Sequence, residues 1–231
     1  MAPNRPTLRV LDLCSGTGSI HKAVKRIFGK DYNIEYTSVD NEAKFDPTFC
    51  VDIRKWDYKK DLVERYGKGG LRFDIIWASP PCTEYSLAKS VGVRNFKLAD
   101  AIVKACWKII HELAPPRWFM ENPSTGYLHK RPFMKKYERY IKECCYCRYG
   151  RDFKKPTHIW TNVGCEFKVC NQTTPCKWKR ANNSHPVAAQ GGPNVMTANG
   201  LDKGISRDKA YEIPIGLLRE LFKCDVLMKE A

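Results

Sequence analysis

The first half of the chain alternates short apolar segments with helical patterns, and this alternation limits the possible folds more than any other feature. Four segments, at residues 8–13, 34–40, 73–78 and 117–121, have the length and composition of buried strands. Apolar side chains recur at helical spacing in residues 20–28 and 98–113. Because strands that alternate with helices form parallel sheets with covered faces, we expect a Rossmann-like α/β fold. Hydrophobic residues make up 43% of the chain, enough for a full core.

A glycine-rich turn follows the first predicted strand, with the sequence Asp12-Leu13-Cys14-Ser15-Gly16-Thr17-Gly18-Ser19. Glycine lets the backbone approach a ligand closely, and the helix N-terminus that comes next favours an anionic group. The turn alone is a weak signal, since any connection from strand to helix can use glycine. Acids after later segments strengthen it, because Asp40 could accept both hydroxyls of a ribose. Asp52 could accept from an adenine amino group while Ile53 packs on the ring.

Two further strand ends carry reactive side chains. Ser79-Pro80-Pro81-Cys82 closes the third apolar segment, where the prolines fix the backbone and the thiol could act as a nucleophile. Most free cysteines are buried for packing, but a position at a strand end argues for a ligand-facing role here. Glu121 closes the next segment, beside Cys82 across the expected crevice. Its carboxyl group, protonated or sharing a proton, could activate a ring nitrogen.

In this order, the motifs resemble those of the DNA cytosine-5 methyltransferases. Residues 12–19 resemble the first S-adenosylmethionine motif of that family. The further matches are Asp40-Asn41 and Asp52-Ile53 with the ribose and adenine positions, Pro80-Pro81-Cys82 with the catalytic Pro-Cys motif, Glu121-Asn122 with the Glu-Asn pair, and Tyr149-Gly150 through Asn162 with the eighth motif. Residues 76–86 look closest to the short members encoded by bacteriophages and large DNA viruses. The resemblance implies a Rossmann-like S-adenosylmethionine-dependent methyltransferase fold with a small irregular recognition lobe.

The resemblance also implies an activity, the transfer of a methyl group from S-adenosylmethionine to C5 of cytosine in duplex DNA. Cys82 would add to C6 of a flipped-out base, and Glu121 would stabilise the charge that develops at N3. By register from Tyr149-Gly150, Lys155 would contact cytosine O2, with Arg148 or Arg151 as alternatives. The implied cofactor site consists of Asp12, Leu13, Cys14, Ser15, Gly16, Thr17, Gly18, Ser19, Asp40, Asn41, Asp52, Ile53, Ser79 and Pro80.

The second half of the chain is polar and strongly basic. Lys and Arg outnumber Asp and Glu by 40 to 25, and residues 129–180 contain 14 of these basic residues against 4 acidic ones. Such a concentration favours a polyanionic partner, most simply nucleic acid. We predict a catalytic α/β domain at 1–162, a basic, cysteine-rich target-recognition lobe at 163–206, and a closing helix at 207–231 that packs back on the catalytic domain.

The predicted lobe contains a candidate zinc site. Cys165, Cys170, Cys176 and His185 lie within 21 residues, and three cysteines with a histidine suit tetrahedral zinc. Zinc would explain how so polar a segment folds. The competing ligands are His158, Cys144, Cys145 and Cys147, and the alternative is that these are unbonded thiols. An odd count of 11 cysteines, in a chain expected to stay in a reducing compartment, argues against a disulfide framework. Cys50, Cys106 and Cys224 lie in apolar contexts and are interpreted as packing residues.

The sequence also excludes some classes of protein and leaves two functions open. No apolar run approaches the roughly 18 residues of a membrane span, and the N-terminus does not resemble a signal peptide, so we expect an intracellular monomer. An RNA cytosine methyltransferase that acts on tRNA would carry the same motifs. A catalytically silent nucleic-acid-binding homologue is the second alternative, because Cys14 stands where the family places an aromatic that stacks on adenine. The presence of Cys82 and Glu121 argues against it.

Overall fold

The computed structural model describes residues 5–87, 89, 91–181, 184–188, 194–197 and 200–224. Its main element is a mixed sheet of seven strands: β1 (Thr7–Leu13), β2 (Asn33–Asp40), β3 (Phe49–Cys50), β4 (Ile75–Ala78), β5 (Arg117–Pro123), β6 (Ile141–Cys145) and β7 (Pro156–Thr161). The strand order is β3-β2-β1-β4-β5-β7-β6. Strands β1 to β5 pair in parallel, whereas β7 lies antiparallel to both β5 and β6.

Three helices connect the parallel strands, and two more lie in the second half of the chain. They are α1 (Ser19–Phe28), α2 (Tyr58–Tyr66), α3 (Phe96–Leu113), α4 (Arg207–Tyr211) and α5 (Ile215–Lys223). Short 3-10 helices lie at Ala43–Phe45, Lys68–Leu71, Leu128–Lys130, Pro132–Tyr140 and Tyr146–Tyr149. The sequence sets where two of the helices begin, because side-chain oxygens cap them. Asp57 accepts from the backbone N–H of Lys60 at α2, and Asn95 accepts from that of Leu98 at α3.

The core lies on both faces of the sheet, as the alternation of side chains along a strand requires. Leu11 and Leu13 of β1 pack on one face together with residues of α2 and α3, such as Leu62 and Val103. Val10 packs on the opposite face with residues of α1 and α5. The predicted Rossmann-like fold is therefore confirmed, with the closing helix α5 as one of the two helices on the second face.

Three features differ from the sequence-based expectations. Strand β6 was not predicted, because Ile-Lys-Glu-Cys-Cys lacks a clear apolar alternation and lies at an edge of the sheet. Part of the lobe expected to be irregular forms a small sheet with the order β8-β10-β9, made of β8 (Val187–Ala188), β9 (Asn194–Thr197) and β10 (Gly200–Gly204). The division at residues 162 and 206 stays a prediction. Among the described residues, the structure contains no helix with the length and apolar character of a membrane span.

The third difference is a disulfide. Cys165 pairs with Cys224, and their Cα atoms lie 5.9 Å apart, within the range that a disulfide bridges. This pairing corrects the interpretation of Cys224 as a packing residue only. The other nine cysteines are free thiols, consistent with the expectation that the chain lacks a disulfide framework. The bond joins the start of the small lobe to the residue that follows α5, so it connects two segments that are 59 residues apart in sequence.

Candidate active site

A pocket of about 370 Å³ opens at the carboxyl ends of the central strands. Strands β1 and β4 are neighbours at its centre, where the direction of the strand order reverses, and open α/β sheets bind their ligands at such a point. The predicted residues that line it are Asp12, Cys14, Ser15, Gly16, Thr17, Ser19, Asp40, Asn41, Asp52, Ile53, Ser79, Pro80, Cys82, Glu121 and Lys155. Two predicted cofactor residues are absent from its lining: Leu13 belongs to the core, and Gly18 precedes α1.

The glycine turn is held open by its backbone conformation and by the acid at the end of β2. Cys14, Gly16 and Gly18 have φ values of 58°, 48° and 69°, in the left-handed region that glycine adopts at low cost. The Asp40 carboxylate accepts from the backbone N–H of Gly16 at 2.9 Å and from that of Glu42 at 2.9 Å. Asp40 therefore fixes the turn to the neighbouring strand, and each of its oxygens retains a lone pair for a ligand hydroxyl.

Asp12 places a buried carboxyl group at the pocket. Its side chain is 1% exposed, and Tyr36 donates a hydrogen bond to Oδ2. Oδ1 is buried and has no hydrogen-bond partner among the described residues. Burial raises the pKa of this carboxyl group from 3.8 to about 7, an effect to which the nearby Asp40 adds. An unpartnered buried carboxylate oxygen is a strong acceptor for a cationic ligand group.

The opposite end of the pocket combines an acid with apolar side chains. Asp52 forms a two-pronged ion pair with Arg54, with Nε at 2.9 Å and 3.1 Å from the two carboxylate oxygens, and this pairing lowers the pKa of Asp52. Ile53 is buried beside it. Phe45, in the 3-10 helix that follows β2, also lines the pocket. Phe45 was not among the predicted site residues, although an aromatic five residues after Asp40 could have indicated a stacking partner in place of Cys14.

Cys82 and Glu121 lie at the ends of the adjacent strands β4 and β5, and a hydrogen bond joins the two strand ends. The side-chain amide of Asn122 donates to the carbonyl of Pro80 at 2.9 Å. Cys82 is half-buried, and burial raises the pKa of its thiol above the ordinary value, while the charge of Lys155 lowers it and that of Glu121 raises it. Because Asn122 holds the loop that bears Cys82, the pair Glu121-Asn122 positions both reactive groups.

Glu121 is buried and receives two contacts at one oxygen. The hydroxyl of Tyr146 donates to Oε1 at 3.1 Å, and Nζ of Lys155 lies 3.4 Å from the same atom. Lys155 also donates to the carbonyl of Ala210 at 3.1 Å, and its ammonium lies 4.6 Å from the centre of the Tyr146 ring. Tyr146 was not predicted as a site residue, because its contact with Glu121 joins segments 25 residues apart and leaves no local pattern.

The two arginine alternatives to Lys155 lie elsewhere. The guanidinium of Arg151 forms an ion pair with Glu212 at 2.9 Å and lines a second pocket, beside Tyr149 and Gly150. Arg148 is outside the lining of both pockets. Among the three candidates, Lys155 is thus the one whose charge lies at the Glu121 carboxyl group.

The four predicted metal ligands do not come together as a set. Cys165 is paired with Cys224, away from the other three, as described above. Its place is taken by Cys147, which lies in the 3-10 helix after β6. The ligating atoms of Cys147, Cys170, Cys176 and His185 all lie within 4.8 Å of one another. Spacing along the sequence pointed to Cys165, whereas the fold brings in a cysteine from 23 residues before Cys170.

The strand order, the glycine turn and the acids at successive strand ends define a Rossmann-like methyltransferase. Residues 8–146 match the family described as C-5 cytosine-specific DNA methylase, and the chain belongs to this family. It is a DNA (cytosine-5-)-methyltransferase by class. The chain is 28% identical over 233 residues to the "Probable DNA (cytosine-5)-methyltransferase" of Frog virus 3 (isolate Goorha), covering 93% of this chain and 98% of that protein. The resemblance seen in the motifs, including that to viral members, is confirmed.

Two solved structures are similar to this one at a greater distance. DNMT2 from Spodoptera frugiperda is 20% identical, with a TM-score of 0.45, over 74% of this chain and 52% of that one. A protein from Listeria monocytogenes assigned to the class I S-adenosylmethionine-dependent methyltransferases is 13% identical, with a TM-score of 0.36, over 76% of this chain and 58% of that one. The present chain therefore spans little more than half the length of either structure.

Proposed function

We propose that this protein transfers a methyl group from S-adenosylmethionine to C5 of a flipped-out cytosine in duplex DNA, through a covalent bond between Cys82 and C6. One observation carries the proposal. Cys82 and Glu121 line the same pocket as the glycine turn and its acids, and the Asn122–Pro80 hydrogen bond holds the two reactive side chains at adjacent strand ends. A thiol, a carboxyl group and a cofactor pocket in one crevice are the groups that this reaction needs.

The pocket residues fit S-adenosylmethionine. The unpartnered Oδ1 of Asp12 suits the ammonium of the methionine part, and Asp40 retains acceptors for the ribose hydroxyls. Ile53 and Phe45 supply apolar surface for the adenine. When bound, S-adenosylmethionine supplies an electrophilic methyl group. The remaining chemistry falls to the side chains of the protein and to the base.

The thiol and the carboxyl group act on atoms at opposite positions of the cytosine ring, C6 and N3. The Cys82 thiolate forms a bond to C6 while Glu121 donates its proton to N3, so that C5 becomes enamine-like and nucleophilic. After C5 is methylated, loss of the C5 proton to a base expels the Cys82 thiolate, and N3 returns its proton to Glu121. Lys155 favours the thiolate, because its positive charge lowers the pKa of Cys82. We propose that it also contacts the base at O2.

The loop between Cys82 and α3 supports a nucleic-acid substrate. Leu87, Val91 and Val93 are 58%, 82% and 94% exposed, which is unusual for large apolar side chains. The guanidinium of Arg94 donates to the carbonyls of Glu84 at 2.8 Å and Ser86 at 2.7 Å, and so braces the base of the loop. Apolar side chains of this kind can enter a base stack and help to extrude a nucleotide. We propose that this loop closes over the flipped base, and that residues 163–206 contact the flanking duplex.

The proposal is tested by trapping the covalent intermediate. The protein is incubated with S-adenosylmethionine and a duplex containing 5-fluorocytosine, in which fluorine blocks the final elimination, and the adduct is mapped by mass spectrometry. We expect one adduct, on Cys82. Cys82→Ala should abolish it, whereas Cys50→Ala should retain it, although Cys50 is the more exposed thiol. An adduct on another cysteine would overturn the assignment.

Two further measurements separate the proposed function from the RNA methyltransferase and from the catalytically silent homologue. Transfer RNA with the same substitution serves as a competing acceptor, and a preference for it over duplex DNA would replace the proposed substrate. Calorimetry with S-adenosylmethionine tests the catalytically silent alternative. If S-adenosylmethionine binds the wild type but not Asp40→Ala, the result supports the proposed cofactor site. If the wild type binds neither the cofactor nor the substrate base, the proposed reaction is overturned.

A further inference from the structure

A small buried cluster that consists almost entirely of cysteines lies between the segment that follows β6 and the predicted lobe. Cys145, Cys147 and Cys170 are buried together, and Cys176 and Trp178 pack against them. These side chains bury little apolar area, whereas other apolar residues of the lobe, such as Phe167 and Val187, pack with the main core instead, so the cluster itself contributes little to offset the conformational entropy of the loops around it. Backbone contacts add little, since the segment from residue 163 to 186 contains no named strand or helix in its described part. The disulfide of Cys165 fixes the start of this segment, so a further source of stability would act chiefly on the part that contains Cys170, Cys176 and His185.

We propose that Cys147, Cys170, Cys176 and His185 bind a structural zinc ion that fixes the small lobe to the catalytic domain. Nε2 of His185 lies 3.8 Å from the Cys170 sulfur and 3.5 Å from the Cys176 sulfur. A tetrahedral zinc ion with ordinary bond lengths separates sulfur from nitrogen by about 3.6 Å and sulfur from sulfur by about 3.8 Å. The two nitrogen–sulfur separations match this geometry, and all four ligand atoms lie within 4.8 Å of one another.

The environment of the cluster suits a closed site. Cys147, Cys170 and His185 are at most 7% exposed, and four protein ligands leave no open position, which is typical of structural rather than catalytic zinc. Three thiolates and one zinc ion carry a net charge of −1. Lys154 and Lys179 lie near enough to act on His185, and their positive charges would balance this excess.

A neighbouring cysteine completes the surroundings without joining the ligands. The sulfur of Cys145 lies 3.4 Å from that of Cys147 and can donate its S–H to a bound thiolate. Lys179 donates to the carbonyls of Gln172 and Thr174, both at 2.9 Å, and so closes the turn between two of the ligands. The ligands come from two places in the fold. Cys147 follows β6 of the main sheet, whereas the other three belong to the lobe, so the ion would connect the two.

Metal analysis of the full chain tests this proposal without reference to methylation. The protein is produced with zinc in the medium, purified without chelator under reducing conditions, and measured by elemental mass spectrometry. We expect one zinc per chain. Cys176→Ser is the main variant, because Cys176 is half-buried and tolerates substitution best, and it should lose the ion. His185→Ala should also lose it, and His185→Cys should retain it as a four-cysteine site.

Two controls keep the result interpretable. Cys165→Ser removes the cysteine that lies outside the cluster and should retain zinc, as should Cys145→Ser. Binding of S-adenosylmethionine by each variant shows that the α/β domain is folded. Cobalt added to the metal-free protein should give the visible absorption of a tetrahedral thiolate site. Absence of zinc from the wild type, together with no cobalt spectrum, overturns the proposal, as does zinc that survives in both Cys176→Ser and His185→Ala.

Discussion

The buried carboxyl group of Asp12 should make the stability of this protein depend on pH in a specific way. Its pKa in the folded protein is about 7, against 3.8 for an ordinary aspartate, because the side chain is withdrawn from water and one oxygen has no partner among the described residues. The folded state therefore keeps its proton at pH values where the unfolded state has lost it. Stability contributed by this group is fully present below the unfolded pKa and is lost as pH rises through the folded pKa.

The magnitude follows from the difference between the two pKa values. A difference of about three pH units corresponds to roughly 4 kcal/mol lost between strongly acidic and alkaline solution. Between about pH 5 and about pH 8 the expected loss is about 2.5 kcal/mol. Asparagine at this position has the same shape, can still accept from the Tyr36 hydroxyl, and does not ionise. We therefore expect Asp12→Asn to gain about 2.5 kcal/mol relative to the wild type over this pH interval.

Urea unfolding followed by circular dichroism, at several pH values and without cofactor, measures this difference directly. Asp52→Asn is the matched control, because Asp52 also lines the pocket but has a lowered pKa from its ion pair with Arg54. Asp52→Asn should show no pH-dependent difference from the wild type between about pH 5 and about pH 8, since a depressed pKa changes stability only at lower pH, where the unfolded state takes up a proton. If the curves of Asp12→Asn and wild type run parallel, Asp12 titrates normally in the folded protein and the reasoning is refuted. Asp12→Asn should also bind S-adenosylmethionine more weakly.

Substitutions at three further positions test the proposed catalytic side of the pocket. Lys155→Gln should raise the pKa of Cys82 and shift the profile of kcat/KM against pH to higher pH, with roughly tenfold less thiolate at neutral pH for each pH unit by which the pKa rises. Lys155→Arg should largely restore the wild-type profile. An unchanged profile in Lys155→Gln would remove Lys155 from this role. Asn122→Ala leaves the Pro80 carbonyl unpaired and should cost about 1–3 kcal/mol in urea unfolding. Tyr146→Phe should lower kcat with little change in the KM for S-adenosylmethionine, and an altered KM alone would contradict its placement.

The fold could be predicted because its signals are local. The apolar segments that became β1, β2, β4 and β5 each identify themselves over a few residues, and the helix patterns between them fix a covered parallel sheet. Strand β6 carried no such signal, since Lys142 and Glu143 interrupt its apolar pattern and it pairs with β7 alone. The small sheet at the lobe could not be predicted either, for a different reason. Its strands are two to five residues long, too short for periodicity to be recognised.

The cluster of Cys147, Cys170, Cys176 and His185 shows why spacing along the sequence is a poor guide to which cysteines come together. Spacing favoured Cys165, which is five residues from Cys170, over Cys147, which is much farther away. The fold reverses this preference, because a hydrogen bond from the backbone N–H of Cys145 to the carbonyl of Lys168, at 3.0 Å, aligns the segment after β6 with the lobe. Cys147 is thereby brought to the cluster, while Cys165 is directed toward Cys224.

The two halves of the active site differ in how they are encoded, and this difference explains which parts the sequence revealed. The cofactor half is built from neighbouring parallel strands whose ends follow one another along the chain, so each acid appears as a motif at a predictable place. The half that we propose to act on the base is assembled across the antiparallel edge of the sheet. Glu121 of β5 receives Tyr146 from the segment after β6 and Lys155 from just before β7. Since antiparallel pairing with β7 sets these contacts, they depend on a register that no local pattern specifies.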